Sequence, residues 1–521
     1  MDKNPDVLII GLGPVGAALA SFCSKCSLTV MVIERDTEVY KQPRAVAMDY
    51  EVLRQVNLLG VADEVLKASR PSLGYEFVKH NREILVSRYQ SDLAPTGYHY
   101  ANMFHQPTFE RALRDKLAML PNVEVHLGWE VNSVKQDADG VTAIVDTPNG
   151  TKSVSASFAV GCDGGRSLVR RSIGSQMYDL GFDEPWLVVD VKLGHGVESL
   201  SDKAMQLCDP DRPTTSTQSG PGRHRWEFMI RPGEDIDEIT KQESILNWIS
   251  SWVDPQTVTI ERNAVYQFHG LVAKTWRDKR IMIIGDAAHQ MPPFLGQGLC
   301  SGVRDASNLA WKLAAVVHGQ APDSLLDTVQ TERSPHVTAI TEAAIALGKI
   351  VCITDAKKAA ERDRRFQADV AAGNPPPFPK MPDIVNGVLE DEAAGRVLPE
   401  PFVDSDDPLT QVRLDDSVGY VPLLILKDTG DLTADDRASI QQIVSLSPLT
   451  RVCSLTGSLD GVIELADPSG DLTAMLGDDR ALLAKPDRIV FGKGSTQTLA
   501  DQWASYLNGN AFLHHTVDAM S

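Results

Sequence analysis

Short unbroken apolar runs that stop at a glycine turn occur three times in this chain: Asp6–Ile10 before Gly11, Phe158–Val160 before Gly161, and Ile281–Ile284 before Gly285. Runs of this length without polar alternation read as strands buried on both faces, as in a parallel sheet covered by helices. After the first run, the helical stretch Ala17–Ser24 leads into a further buried strand, Leu28–Ile33. The pattern then predicts helices at Tyr50–Leu59 and, behind a proline near its start, Thr108–Met119. Val123–Leu127, Glu130–Gln136 and Val141–Asp146 are expected to form a three-strand meander, with turns at Ala138–Gly140 and Pro148–Gly150. Between 174 and 270 the pattern changes to long strands: Trp186–Leu193, Arg225–Arg231 and Val258–Tyr266. In the second of these, Trp226, Phe228 and Ile230 alternate with Arg225, Glu227 and Arg231, so one face is apolar and would either roof a pocket for an aromatic substrate or pack on the sheet's own core. An amphipathic helix follows Gly298, and helices continue to about residue 350. The proline-rich stretch Asn374–Pro382 and the looser run to Pro408 read as a linker or strap. Tyr420–Leu426, a helix near Asp435–Val444, Arg451–Leu455 and a strand near Arg488–Phe491 make a small α/β tail.

A chain of 521 residues exceeds one hydrophobic core, so about two or three domains are expected. A net charge of -20 argues against a general nucleic-acid binder and against an anionic membrane surface. Seven scattered cysteines fit a reducing compartment. Cys23 and Cys26 form a C-x-x-C, but it lies in the first helix with no second pair to complete a zinc site, so no metal is expected. With no signal sequence before the strand at Asp6 and no apolar run long enough to span a bilayer, the expected location is the cytoplasm.

The glycine turns carry the chemistry. Gly11-Leu12-Gly13-Pro14-Val15-Gly16, between a strand and a helix, is a dinucleotide fingerprint. Gly11 makes the tight turn, Gly13 admits a pyrophosphate to the backbone, and Gly16 lets helix and strand pack. Glu34, followed by Arg35, stands at the offset expected of an acid that binds a ribose hydroxyl. Arg44 suits a pyrophosphate or ring-edge contact, since guanidinium pairs bidentately with phosphate. Gln106 opens a helix and would point at whatever the first loop holds. A second junction, Gly161-Cys162-Asp163-Gly164-Gly165-Arg166, offers Asp163 and Arg166 to a phosphate-bearing ligand. In the third, Gly285-Asp286 ends a strand, Pro293 lies in a proline-rich turn, and Gly296, Gly298 and Leu299 open a helix. Asp286 would accept hydrogen bonds from a polyol phosphate chain, and the unpaired N–H groups of the helix start favour negative charge on an electron-accepting ring.

These three junctions in this order resemble the FAD-dependent aromatic hydroxylases, the single-component class A flavoprotein monooxygenases. Pro43–Val46, Cys162–Gly165, Cys208-Asp209-Pro210, Glu227-Phe228-Met229, Gly285–His289, Arg304-Asp305 and Lys485–Arg488 make the chain most like the 3-(3-hydroxyphenyl)propionate hydroxylase branch. The resemblance covers essentially the whole chain. It implies an α/β fold: a Rossmann-like FAD-binding domain of the p-hydroxybenzoate hydroxylase type over 1–173 and 271–350, and an inserted, mainly β substrate domain over 174–270. A helical and proline-rich linker would follow over 351–410, and a thioredoxin-like domain over 411–521. Gly11, Gly13, Gly16, Glu34 and Arg44 would hold the ADP half of FAD, and Gln106 and Asp286 would contact the ribityl side. Asp163 and Arg166 sit in the motif associated with both FAD and NAD(P)H. Pro293 and the backbone of Gly296–Leu299 would lie beside the isoalloxazine ring.

The implied reaction is hydroxylation of a phenol by NADH or NADPH and O2, with the terminal oxygen of a flavin C4a-hydroperoxide attacking the ring. Tyr100, Tyr266, His269 and His289 are candidates to activate the phenol. Arg212, Arg223, Arg225 and Arg231 are candidates to hold a substrate carboxylate. The substrate expected from the resemblance is 3-(3-hydroxyphenyl)propionate-like. A resorcinol-like or polyketide phenol is the alternative, followed by flavin reductase or oxidase chemistry without oxygen insertion and by a scaffold that only binds FAD. A homodimer is expected on the same ground. Two features depart from the family pattern: Val329 replaces the usual tyrosine before Gln330-Thr331-Glu332-Arg333, and the tail has Cys453 alone, without a C-x-x-C.

Overall fold

The computed structural model describes residues 4–40, 44–194, 196–197, 200–376, 380–403 and 412–513. Gln42 and Pro43 before Arg44, residues 377–379 of the proline-rich stretch, Pro408 and the boundary at 410/411 lie outside the described residues.

The three glycine junctions are neighbours in space. A six-stranded sheet runs in the order Arg277–Asp278, Ile281–Ile283, Phe158–Gly161, Val7–Ile10, Val30–Glu34, Val123–Leu127. All its pairings are parallel except the first. Ile10 lies opposite Gly161, and Gly161 opposite Ile283, so Gly11, Cys162 and Gly285 leave the sheet at one edge. That edge, at the carboxyl ends of parallel strands, is where open α/β sheets bind ligands. Val7–Ile10 is buried at every position: Val7 and Ile9 pack beneath helix Pro14–Lys25 and helix Gly298–Val317, and Leu8 and Ile10 pack on the other face with Val134, Val141 and Ala143. These two helices approach so closely that a Cβ on Gly302 would stand 2.4 Å from a Val15 methyl.

The meander differs from its prediction. Val123–Leu127 is the edge strand of the parallel sheet, and the antiparallel trio is Glu130–Gln136, Val141–Thr147 and Gly150–Ala156. An edge strand is only half covered, so its sequence alternates like that of an antiparallel hairpin.

The long strands form an eight-stranded sheet in the order His289–Gln290, Val258–Ala273, Met177–Leu193, Arg223–Met229, Thr214–Gln218, Ala204–Leu207, Gly74–Val78, Ile84–Tyr89. It therefore draws strands from before 174 and after 270. Leu187, Val189, Trp226 and Phe228 on one face pack on Ile245 and Ile249 of helix Gln242–Ile249. Trp186, Met229 and Phe77 on the other face pack on Phe294 and on Ile345 and Leu347 of helix Asp327–Val351.

A seven-stranded mixed sheet with helices Ala434–Leu446, Asp471–Leu476 and Thr496–Leu507 forms the tail. Two buried ionic networks fasten it to the first unit. Glu332 takes Lys312 at 2.8 Å, Lys485 at 2.9 Å, Asn308 at 2.8 Å and the Tyr506 hydroxyl at 2.6 Å. Asp415 is shared by Arg54 at 2.6 Å and Arg488 at 2.7 Å. Among the described residues, no single helix is long and apolar enough to cross a membrane.

Candidate active site

In the first junction, two glycines are packed tight and one is open. Gly11 has φ of +102°, and a Cβ there would stand 2.5 Å from the Cys162 carbonyl oxygen; one on Gly16 would stand 2.0 Å from the Gly11 carbonyl oxygen. A Cβ on Gly13 would meet nothing within 4 Å. The open side is thus at Gly13, which precedes a helix with Pro14 in its first turn and no side-chain cap. Uncapped N–H groups there suit a phosphate. Val15 faces the third junction, 3.1 Å from where a Gly285 Cβ would be. The Glu34 carboxylate accepts from Leu12 N at 2.6 Å and Asp36 N at 2.9 Å, so it shapes the loop from the next strand. Arg35 is exposed beyond it.

Gln106 opens its helix and lies against the loop that carries Arg44. It is the first residue of helix Gln106–Leu117, and its amide oxygen accepts from Arg44 N at 3.0 Å and Ala45 N at 2.6 Å. Its amide nitrogen donates to Glu110 at 2.6 Å. Buried this way, it clamps the loop that presents Arg44. The Arg44 guanidinium stacks on Tyr40, 5.1 Å from the ring centroid.

At the second junction, Asp163 Oδ2 caps helix Leu168–Ser172 by accepting from Leu168 N at 2.6 Å, while Oδ1 is buried with no protein partner. Arg166 is exposed. Arg170 joins two junctions by donating to Gly165 O at 2.7 Å and Ala287 O at 2.8 Å. At the third, Asp286 is exposed although Gly285, Ala287, Ala288 and His289 around it are buried. Gly285 N donates to Asp305 Oδ2 at 3.1 Å, His289 Nε2 lies 2.6 Å from the same oxygen, and Arg333 Nε donates to Oδ1 at 2.8 Å. Burial pushes the Asp305 carboxyl up, but His289 and Arg333 outweigh it and hold the pKa down to about 2. His289 is fully enclosed and fixes this turn. Asp305, from the Arg304-Asp305 pair, and Arg333 support the turn from behind.

Pro293–Leu295 forms a single helical turn, Gly296 takes φ of +65° against Ala47, and helix Gly298–Val317 begins with no side-chain cap at Gln297. The open glycine, the unpartnered Asp163 oxygen, the outward Asp286 and two uncapped helix starts together fit an extended phosphate-bearing flavin nucleotide.

The eight-stranded sheet meets this loop at Phe294. Phe294 packs edge-on to Trp186 at 5.6 Å and to Phe182 at 5.8 Å. Tyr266 is on the same face, 6.4 Å from Phe268, under the Arg262 guanidinium at 4.8 Å. Trp226 and Phe228 are not: their side chains point to the opposite face, against Trp252 and Trp248. The alternation was read correctly, but the apolar side packs on its own helix and the polar side faces the flavin loop. Arg225 is on that polar side, held by Asp190 at 2.7 and 2.8 Å, and donates to Arg44 O at 2.6 Å. Tyr100 packs edge-on to Tyr50 at 5.3 Å, and His269 pairs with Asp183 at 3.1 Å. Trp226→Phe is accordingly expected to lower the melting temperature and leave KM for substrate unchanged; a raised KM at constant stability contradicts this placement.

Residues 4–344 match the family model described as FAD binding domain. The chain is 35% identical to the "Probable NADH-specific resorcinol 4-hydroxylase" of Rhodococcus jostii (strain RHA1), over 94% of this chain and 92% of that protein. It is 31% identical to the "3-(3-hydroxy-phenyl)propionate/3-hydroxycinnamic acid hydroxylase" of Mycolicibacterium smegmatis (strain ATCC 700084 / mc(2)155), over 94% and 91%. In fold it matches aklavinone-11 hydroxylase, solved with FAD and aklavinone, at a TM-score of 0.76 and 24% identity over 97% of this chain and 99% of that one. The flavin-dependent monooxygenase PieE, solved with FAD and substrate, matches at 0.78 and 21% over 98% and 100%. The chain belongs to the FAD-binding-domain family and, within it, to the FAD-dependent aromatic hydroxylases: it is a flavoprotein monooxygenase that uses FAD, a reduced nicotinamide nucleotide and O2.

Proposed function

We propose that the substrate is an uncharged phenol of the resorcinol type, hydroxylated on the ring. The carrying observation is the charge balance of the wall facing the flavin loop. Arg225 is bound bidentately by Asp190, Arg262 reaches the same carboxylate at 3.4 Å, and Glu227 stands 3.7 Å from Arg225. Two cations thus meet two anions. Of the other candidate arginines, Arg212 is held by Glu234, Arg223 by Glu261 and Arg231 by the carbonyls of Pro210 and Asp211. A substrate carboxylate would have to compete with Asp190 and Glu227 for the guanidiniums of Arg225 and Arg262, at a cost on the order of several kcal/mol. The 3-(3-hydroxyphenyl)propionate reading rests on the relatives that carry that name, at similar identity.

FAD, once bound, supplies electron transfer from the nicotinamide nucleotide to O2 and of one oxygen atom to the ring. Gly13 and the helix start behind it would hold its pyrophosphate, the acceptor oxygens of Asp163 and Asp286 would take hydrogen bonds from its hydroxyls, and the helix start at Gly298 and Leu299 would face the ring. Pro293 and Phe294 close the substrate side. Phe182, Trp186 and Phe268 exclude water from the reacting ring. We further read the tail as thioredoxin-like without thiol chemistry: Cys453 is buried, and the tail's role is packing against the flavin helix.

The test is a panel of resorcinol, 3-(3-hydroxyphenyl)propionate and 3-hydroxybenzoate, with NADH consumption and hydroxylated product both measured. Resorcinol should exceed both acids in kcat/KM by about 100-fold, the size of an unpaired buried charge. A higher value for either acid overturns the uncharged-substrate reading.

A further inference from the structure

A buried polar row crosses the sheet between the two points where it touches the flavin-side loops, Arg225 at Arg44 and Trp186 at Phe294. In register, Asp190 faces Arg225 and Trp186 faces Met229, which leaves Val188 and Glu227 in the row between. That row continues from Glu227 to Thr215 and from Thr215 to Gln206. Thr215 Oγ1 donates to Gln206 Oε1 at 2.8 Å. Glu227 stands apart from this bonded pair. It is 5% exposed, and its nearest contact to Arg225 is an ion pair at 3.7 Å, too long for a hydrogen bond. Beside it on the same face, Thr217 Oγ1 is buried with no partner, and so is Trp186 Nε1. Buried polar atoms without partners are rare in folded proteins. Two of them flanking an under-bonded carboxylate, on the wall next to the flavin loop, mark a place where ligand hydroxyls complete the bonding.

We propose that Glu227 is the catalytic residue that takes the hydroxyl proton of the phenol, with Thr217 bonding the second oxygen of a dihydroxy ring. The assignment rests on the reading of the chain as a phenol hydroxylase. The phenol O–H bond breaks, the proton passes to a Glu227 carboxylate oxygen, and the electron pair stays on the phenol oxygen. That charge enriches the ring carbon ortho to it for oxygen attack. As aromaticity returns, the ring hydrogen at the oxygenated carbon leaves to water and Glu227 returns its proton to the phenol oxygen. Burial raises the Glu227 carboxyl above the usual range, against the opposing charges of Arg225 and Arg262 and with Asp190 reinforcing it. A stronger carboxylate base lies closer to a phenol in proton affinity.

The test compares wild type and Glu227→Gln, both reconstituted with FAD, on resorcinol and on a ring-fluorinated resorcinol that is largely ionised at the assay pH. Glu227→Gln should lose about 100-fold in hydroxylation of resorcinol, the usual span of general-base catalysis, with flavin content unaltered. The loss should shrink with the fluorinated ring and as pH rises towards ionisation of resorcinol itself. An unchanged rate, or the same loss on both rings at every pH, overturns the assignment. If Glu227→Gln does not fold, Thr217→Val decides: KM should rise more for resorcinol than for phenol, and equal effects overturn it. A wild type that hydroxylates none of these phenols removes the phenol-hydroxylase reading; an active wild type with an equally active Glu227→Gln removes only Glu227's role.

Discussion

Replacing Gly16 by alanine is expected to give folded protein that no longer retains FAD. The new Cβ would fall 2.0 Å from the Gly11 carbonyl oxygen, a contact that side chains do not make. Gly11 cannot give way, because its left-handed backbone is itself pressed against the Cys162 carbonyl. The start of helix Pro14–Lys25 must therefore swing off the strand end, and its N–H groups leave the phosphate position. Loss of about 3 kcal/mol corresponds to a Kd raised about 100-fold, measured by flavin titration of the apoprotein. Gly13→Ala is the control: its Cβ meets no protein atom, so the fold is untouched and any loss of affinity reports the ligand alone. A Gly16→Ala protein as yellow as wild type would contradict the packing described.

The second large effect is on stability and its dependence on acid. Glu332 is fully buried between two lysines; burial pushes its carboxyl up, but Lys312 and Lys485 outweigh this and hold it from 4.5 down to about 2. A carboxylate with a depressed folded pKa stabilises the fold above its ordinary range, and that contribution is lost as pH falls through the folded value. The shift amounts to about 3 kcal/mol, lost between about pH 4.5 and pH 2. Asp305 and Asp415, each also held at about 2, act in the same window. Glu332→Gln leaves two lysines facing each other without their counter-charge, so stability at neutral pH should fall by about 3 kcal/mol and its acid dependence should flatten. Because the network grips the flavin helix at Asn308 and Lys312, the tail should loosen in the same transition. Thermal denaturation from pH 7 to pH 2 checks both; a melting temperature and acid profile equal to wild type would show that the network is not a fastening.

What the sequence made legible was local. Gly11, Gly13 and Gly16 are demanded by one turn, and Asp286 by the end of one strand, so adjacent residues carry the signal. Face assignments were not legible, because alternation in Arg225–Arg231 shows that two sides differ without showing which neighbour covers each. Helix Gln242–Ile249 takes Trp226 and Phe228, and the flavin loop takes Arg225 and Glu227. The partners of Gln106 were not legible for a related reason: they are the backbone N–H groups of Arg44 and Ala45, 62 and 61 positions away. Val123–Leu127 shows the same limit at the level of strands, since edge position imitates a hairpin. Pairing of arginines decides the substrate argument, and Asp190, which neutralises two of them, carried no motif of its own.

The most direct test of the central claim supplies the FAD-loaded protein with NADH, resorcinol and isotopically labelled O2. A trihydroxybenzene bearing one labelled oxygen, formed in step with NADH consumption, is the predicted result. NADH consumption that yields only labelled hydrogen peroxide with every phenol of the panel, or a product whose new oxygen comes from water, would contradict the account.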